Sequence, residues 1–168
     1  MLATKADRDL QTGDFSGAQV RRSVERSLRL LGLDRLQLVY LHDPERTTFE
    51  AAMAPGGPVE ALQRCKQEGL IEHVGVAGGP IDMESRYVET GAFEVVISHN
   101  RYTLLNVSAD PLWDLAAPRI TSTIVGISRP ERLAQTVDLA RHPIPAGVWA
   151  DLQAVRPDTD DPEATPWN

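Results

Sequence analysis

One stretch constrains the fold more than any other. An apolar run of strand character, residues 36–41, ends abruptly in His-Asp-Pro-Glu at residues 42–45. In parallel α/β folds the functional site lies where the strands stop. A buried strand that delivers His42 at its carboxyl end therefore predicts a site there. The segment before it has apolar residues at helical spacing, begins with a Ser16–Gln19 capping pattern and stops at Gly32.

The rest of the chain repeats this alternation of strand and helix. Helices are predicted at 58–68, 82–90 and 110–116, and strands at 73–77, 93–98 and 118–128, with Gly and Pro between them. Residues 2–5 are either a strand end or a ragged terminus. Short connections between strands of this kind require right-handed crossovers and a parallel sheet. We predict an α/β fold with about five parallel strands in one domain over residues 1–155, and an acidic, proline-containing disordered tail over 156–168.

Composition excludes several functional classes. The net charge is -7, and the arginines alternate with Glu and Asp instead of forming a basic stripe. We therefore predict no nucleic-acid partner. No apolar run approaches the ~20 residues of a membrane span, and the first residues lack the apolar core of a signal peptide. The single cysteine, Cys65, excludes an internal disulfide and agrees with a cytoplasmic location. We assign no metal ligands.

Six motifs carry a family resemblance. In order, they are LATK at 2–5, SLRLLGLD at 27–34, LHDPE at 41–45, GLIEHVGVA at 69–77, NRYTLL at 100–105 and IVGISRPERL at 124–133. Together they resemble the aldo-keto reductases, and most closely the bacterial members that act on aldoses and fucose. The resemblance implies a (β/α)8 TIM barrel, NADP or NAD as cofactor, and interconversion of a carbonyl or sugar substrate with its alcohol.

The same resemblance assigns catalytic positions and points to gaps. Lys5 and His42 match the family's catalytic lysine and histidine. The family's Asp and Tyr belong to an upstream D-x-A-x-x-Y-G segment that is absent from the sequence, and Tyr40, Tyr87 and Tyr102 stand in other contexts. Near residues 116–118 a further strand, a cofactor-covering loop and a helix of the family are also missing. We therefore expect an incomplete barrel with impaired or partner-dependent activity, and open edges that a homo-oligomer or partner chain covers.

The residues that match the family's cofactor-binding segment are better preserved. Residues 126–132 have the form of a strand end, a loop and a helix start, where backbone N–H groups and arginines favour a phosphate. By resemblance, Gly126, Ser128, Arg129 and Arg132 hold the adenosine phosphate of NADP. The end of the preceding clear strand would lie near the nicotinamide, through Ser98 and Asn100.

Two other hypotheses stay open. Lys5 and His42 at the ends of neighbouring strands suit a redox-free lyase, isomerase or dehydratase, because a lysine in an apolar barrel mouth can form a Schiff base. Alternatively, the chain is a non-catalytic binding module whose open edge docks on a partner.

Overall fold

The computed structural model describes residues 1–99, residues 108–116 and scattered single positions between 134 and 151. The strands are β1 (Ala3–Ala6), β2 (Leu36–His42), β3 (Ile71–Gly78) and β4 (Val95–Ser98). The helices are α1 (Gly17–Leu31), α2 (Phe49–Met53), α3 (Pro58–Gln67), α4 (Ile81–Glu89) and α5 (Asp110–Ala116), with a 3₁₀ turn at Pro44–Arg46. The predicted strand 118–128, the segment 126–132 and the tail 156–168 lie outside the described residues.

The four described strands form one parallel sheet in the order β1-β2-β3-β4. Each strand lies beside its neighbour in sequence, and helices connect successive strands, as in a (β/α)8 barrel. The register pairs Lys5 with Tyr40 and His42 with Ala77. The carboxyl ends of β1, β2 and β3 therefore meet at one end of the sheet. The predicted α/β fold with a parallel sheet is confirmed, and residues 2–5 prove to be largely strand.

Helix α1 shows both the success and the limit of the capping prediction. The Ser16 side chain accepts a hydrogen bond from the Gln19 backbone N–H, and the chain leaves the helix through Gly32 with φ at 65°. The reciprocal half of the box is wrong, however. The Gln19 side chain donates instead to the carbonyl of Asp7, and the backbone N–H of Ser16 donates to the Asp14 carboxylate. Helix α1 is thus tied to the loop that follows β1.

Helix α2 and the start of β4 also differ from the prediction. The connection at 46–57 contains α2, which is capped by the Thr48 hydroxyl and is too short to show helical periodicity. The strand predicted at 93–98 begins only at Val95. Phe93 precedes the strand, and its ring packs edge-on against Tyr87, with 5.6 Å between the centroids.

The two faces of the sheet carry different clusters. On the helix-facing side, strand residues such as Val39 and Val74 pack with Val24, Leu62 and other helix residues in the main core. Cys65 belongs to this core, and burial raises the pKa of its thiol. The opposite face carries a smaller cluster, with Leu38, Tyr40 and Ala77 packed against Val95 and Ile97. This second face is the one that would line the inside of a barrel. None of the described helices is long and apolar enough to cross a membrane.

Candidate functional site

Lys5 and His42, the two predicted catalytic residues, are in direct contact. Lys5 belongs to β1 and His42 is the last residue of β2, so the parallel register brings both to the carboxyl end of the sheet. Lys5 Nζ lies 2.9 Å from His42 Nε2. The structure thus brings together a primary ammonium and an imidazole from neighbouring strands. Their catalytic role stays a prediction.

A third member of the site, Asp7, was not found from the sequence. Its Oδ2 lies 2.8 Å from Nδ1 of His42, on the side of the ring opposite Lys5. Asp7 follows β1 directly, two residues after Lys5, and its side chain is one-third exposed. Its position after a strand end was the available signal, but Asp7 is not part of any quoted motif. We call Lys5, Asp7 and His42 the carboxyl-end cluster.

A second carboxylate approaches the same imidazole. Asp43 has φ at 47°, a left-handed conformation that Asp tolerates better than most residues, and its backbone N–H donates to the carbonyl of Ala77. This sharp turn leaves Asp43 Oδ1 at 3.3 Å from His42 Nε2. That separation exceeds the usual 2.7–3.2 Å of an N–H···O bond. Asp43 is therefore a weaker partner of His42 than Asp7 is.

A cavity of about 250 Å³ opens beside the carboxyl-end cluster. Its wall includes Lys5, Tyr40, His42, Ala77, Ile97 and His99. Tyr40 does not match the family's catalytic tyrosine by motif, yet it stands in the same wall as Lys5 and His42. Burial raises the pKa of its phenol, so the hydroxyl keeps its proton. The cavity therefore combines an apolar floor with donors that suit a carbonyl or hydroxyl oxygen.

The cluster has a clear chemical capability. The Lys5 ammonium can donate a hydrogen bond to a substrate oxygen, and His42 beside it can accept or return a proton. Lys5 is exposed while the His42 side chain is only 21% exposed, so the histidine is the more firmly held of the two. An oxygen that develops negative charge would be stabilised at Nζ.

The predicted cofactor residues fall into two groups. Ser98 ends β4, and its Oγ is buried without a hydrogen-bond partner. Strand alternation puts Ser98 on the helix-facing side, since Ile97 before it packs in the inner cluster. It is therefore near the cavity but outside its wall. The remaining predicted residues, Asn100, Gly126, Ser128, Arg129 and Arg132, lie outside the part of the chain that the structure describes. Within that described part, no group of three or more His, Cys, Asp or Glu residues could hold a metal ion.

Comparison with known proteins agrees on one family. The model of the "Aldo/keto reductase family" matches residues 1–116. D-threo-aldose 1-dehydrogenase of a Pseudomonas species is 27% identical over 210 residues, which cover 85% of this chain and 63% of that protein. L-galactose dehydrogenase of Arabidopsis thaliana is 32% identical over 137 residues, which cover 80% of this chain and 41% of that protein.

Solved structures lead to the same fold. The holo form of an aldo-keto reductase from Bacillus halodurans superposes with a TM-score of 0.59 at 26% identity, covering 88% of this chain and 46% of that one. The chain thus spans about two-fifths to two-thirds of the length of these curated relatives, and the described sheet is part of a (β/α)8 barrel. The first alignment runs over 210 residues against a chain of 168, so segments of that relative have no counterpart here.

Proposed function

Because the chain belongs to the aldo/keto reductase family, we propose that it is an NAD(P)-dependent oxidoreductase whose reacting oxygen is bound at Lys5 and His42. The 2.9 Å contact between Lys5 Nζ and His42 Nε2, at the mouth of a cavity at the carboxyl end of the sheet, carries this proposal. The substrate class we propose is an aldose or a related aldehyde or ketone. The named sugar dehydrogenases among the relatives support this class.

The chain's own residues would handle the oxygen and its proton. The Lys5 ammonium binds the substrate oxygen and stabilises the charge that develops on it. The proton that this oxygen gains on reduction comes from Nζ, and His42 Nε2 orients the ammonium by accepting a hydrogen bond from it. Because Lys5 is exposed, its amine regains a proton from solvent. The apolar wall at Ala77 and Ile97 limits water at the reacting carbon. The nicotinamide cofactor, when bound, supplies or removes the hydride.

Of the residues predicted to bind this cofactor, the structure describes Ser98. It ends β4 between Ile97 and His99, which belong to the cavity wall, while its own side chain lies on the helix-facing side. We propose that the segment at Ser98 and Asn100 lies beside the nicotinamide, and that Gly126, Ser128, Arg129 and Arg132 bind the adenosine phosphate of NADP.

We further propose that the isolated chain turns over slowly or needs a partner. Among the described residues, no tyrosine hydroxyl is hydrogen-bonded to Lys5 or His42. A positioned proton donor is worth about 10²–10⁴ in rate. In the described sheet, β1 and β4 each pair on one side only, and such edges invite a second copy or a partner chain. The free, buried thiol of Cys65 fits the reducing cytoplasm in which we place this protein.

Calorimetric titration tests the cofactor part of this proposal. We expect NADPH or NADH to bind the folded chain with micromolar affinity, and nicotinamide fluorescence to report slow turnover with an aldose panel. His42→Gln should keep cofactor binding and lose turnover, whereas the control His73→Gln, at the other end of β3, should keep both. A chain that is folded by circular dichroism but binds neither cofactor would overturn the proposal.

A redox-free reaction is the second candidate, and the Lys5–His42 contact favours it as well. An amine beside an imidazole that accepts protons is suited to Schiff-base formation with a carbonyl compound. Borohydride treatment in the presence of candidate aldehydes should then leave an adduct on Lys5, located by peptide mass spectrometry, and none in Lys5→Met. Absence of both adduct and cofactor binding would instead favour a non-catalytic binding module.

A further inference from the structure

We infer that Asp7 is the positioning residue of this site: its carboxylate holds the neutral His42 imidazole in the tautomer protonated at Nδ1, with the Nε2 lone pair facing Lys5. The inference deepens the proposed function and rests on it only in that His42 belongs to the site. Neither the motifs nor the relatives assign a role to Asp7.

The partners of the two ring nitrogens decide where the proton sits. A neutral imidazole has one N–H donor and one acceptor nitrogen. A proton on Nδ1 donates to Asp7 Oδ2 at 2.8 Å and leaves Nε2 free to accept from the Lys5 ammonium at 2.9 Å. Both contacts are then hydrogen bonds of ordinary length. With the proton on Nε2, a donor would face the Lys5 ammonium and a lone pair would face the Asp7 carboxylate.

Asp43 is the only other described carboxylate paired with this ring, and it favours the opposite tautomer. It could accept a proton from Nε2, but its Oδ1 lies at 3.3 Å, whereas Asp7 lies at 2.8 Å from Nδ1. The Lys5 ammonium already occupies the near side of Nε2. Asp7 is therefore the dominant carboxylate partner of His42, because its contact is shorter and the Lys5 ammonium disfavours a proton on Nε2.

Asp7 is itself held in place from several sides. Its backbone N–H donates to Ser23 Oγ and its carbonyl accepts from Gln19 Nε2, each at 3.4 Å. Its other carboxylate oxygen, Oδ1, accepts from the backbone N–H of Arg8 at 2.9 Å. Gln19 and Ser23 are four residues apart on α1 and so share one helix face. Helix α1 therefore fixes the carboxylate that orients the histidine, as an aspartate hydrogen-bonded to Nδ1 orients the imidazole of other enzymes.

Nitrogen NMR measures this tautomer directly, without any ligand. The chain labelled with ¹⁵N at its four histidines should give long-range ring correlations, and His42→Gln identifies the His42 signals. In the wild type we expect a protonated Nδ1 and an unprotonated, hydrogen-bonded Nε2. Asp7→Asn should raise the fraction of the tautomer protonated at Nε2, because a neutral amide oxygen accepts more weakly from Nδ1 than a carboxylate does. A wild-type proton on Nε2 would overturn the inference by itself, even if the Asp7 variants failed to fold.

Asp43→Asn is the matched control. Asn also tolerates the left-handed backbone at this position, so the variant changes charge and leaves the turn intact. We expect the His42 tautomer to be unchanged in it. A tautomer that shifts in Asp43→Asn and not in Asp7→Asn would assign the positioning role to Asp43 instead.

Kinetics separates this inference from the proposed function. If the chain turns over an aldose, Asp7→Asn should lower kcat about 10²–10⁴-fold with little change in KM, the pattern expected for a misplaced proton. A variant whose KM rises and whose free energy of unfolding falls, with kcat unchanged, would instead mean that Asp7 has a merely structural role. If the chain proves to have no redox activity, the NMR result still stands, because it needs no cofactor or substrate.

Discussion

Two clusters at opposite ends of the sheet each join a lysine, a histidine and a carboxylate. In the carboxyl-end cluster the imidazole is central: His42 lies between Asp7 and Lys5. At the other end the carboxylate is central, because Glu94 contacts both Lys66 and His73, the latter at 2.6 Å. We call Lys66, His73 and Glu94 the amino-end cluster. The same three kinds of residue thus occur in two different orders.

The order determines what each cluster can do. A carboxylate between two cationic or donor groups has its charge and lone pairs satisfied, so the amino-end cluster is a closed ion-pair arrangement. An imidazole between an acceptor and a donor can pass a proton from one side to the other. Location agrees with this difference, since sites in (β/α)8 barrels lie at the carboxyl ends of strands, whereas the amino ends serve stability.

The largest expected effect on turnover comes from substituting His42, with the same substitution at His73 as the control. His42→Gln removes the central proton acceptor of the carboxyl-end cluster and should lower turnover about 10²–10⁴-fold. His73→Gln removes only a partner of Glu94 and should leave turnover unchanged. Cofactor oxidation with the best aldose of a panel measures both. Equal losses in the two variants would contradict this difference between the clusters, because they would mean that His42 has no chemical role that His73 lacks.

Much of the fold was predictable from local signals. Strands β2 and β3 were predicted within two residues of their observed ends, because their apolar runs lie between clear turn residues. Gly32, which has a positive φ, follows the end of α1 as predicted, and α3 ends at Gln67, one residue before its predicted end. Helix α2 was missed because five residues do not make a periodic pattern.

The site was only partly predictable, for a physical reason. Lys5 and His42 were found through motifs, and their meeting follows from the alignment of two strand ends. Asp7 was missed because its position depends on Gln19 and Ser23 of α1, which hold the loop after β1 by tertiary hydrogen bonds. The Gln19 side chain that the capping pattern directed to Ser16 is used for this contact instead. A non-local tie of this kind leaves no short-range signal in a sequence.

The second largest effect on kcat is expected at Lys5, with Lys66 of the amino-end cluster as its control. Lys5→Met removes an ammonium that would bind the reacting oxygen, and a charge-assisted hydrogen bond of about 1.5–3 kcal/mol corresponds to roughly 10–10²-fold in kcat. Lys66→Met removes one partner of an exposed carboxylate and should leave kcat unchanged. Steady-state kinetics on matched preparations distinguishes them. A larger kcat loss in Lys66→Met would contradict the assignment of chemistry to the carboxyl-end cluster.

The smallest effect is a pH-dependent difference in stability at Glu94. Partial burial opposes ionisation of this carboxyl, but hydrogen bonds from Lys66, His73 and the Val74 backbone outweigh it and lower its pKa from the ordinary value of 4.5. A lowered folded-state pKa stabilises the native state at pH values above 4.5, and this stabilisation is lost as the pH falls through the lowered value. The side chains are 37–40% exposed, so the contribution is at most about 1 kcal/mol.

Urea unfolding of Glu94→Gln against the wild type across a pH series measures this contribution. The difference in the free energy of unfolding should be full at neutral pH, shrink in high salt, and vanish in acid where the wild-type carboxyl is protonated. Turnover at neutral pH should be the same in both proteins. A stability difference that persists in acid would show that Glu94 acts through packing rather than charge. A loss of turnover comparable with that of His42→Gln would show that the amino-end cluster is coupled to the site, against the division of roles argued from the order of the three residues.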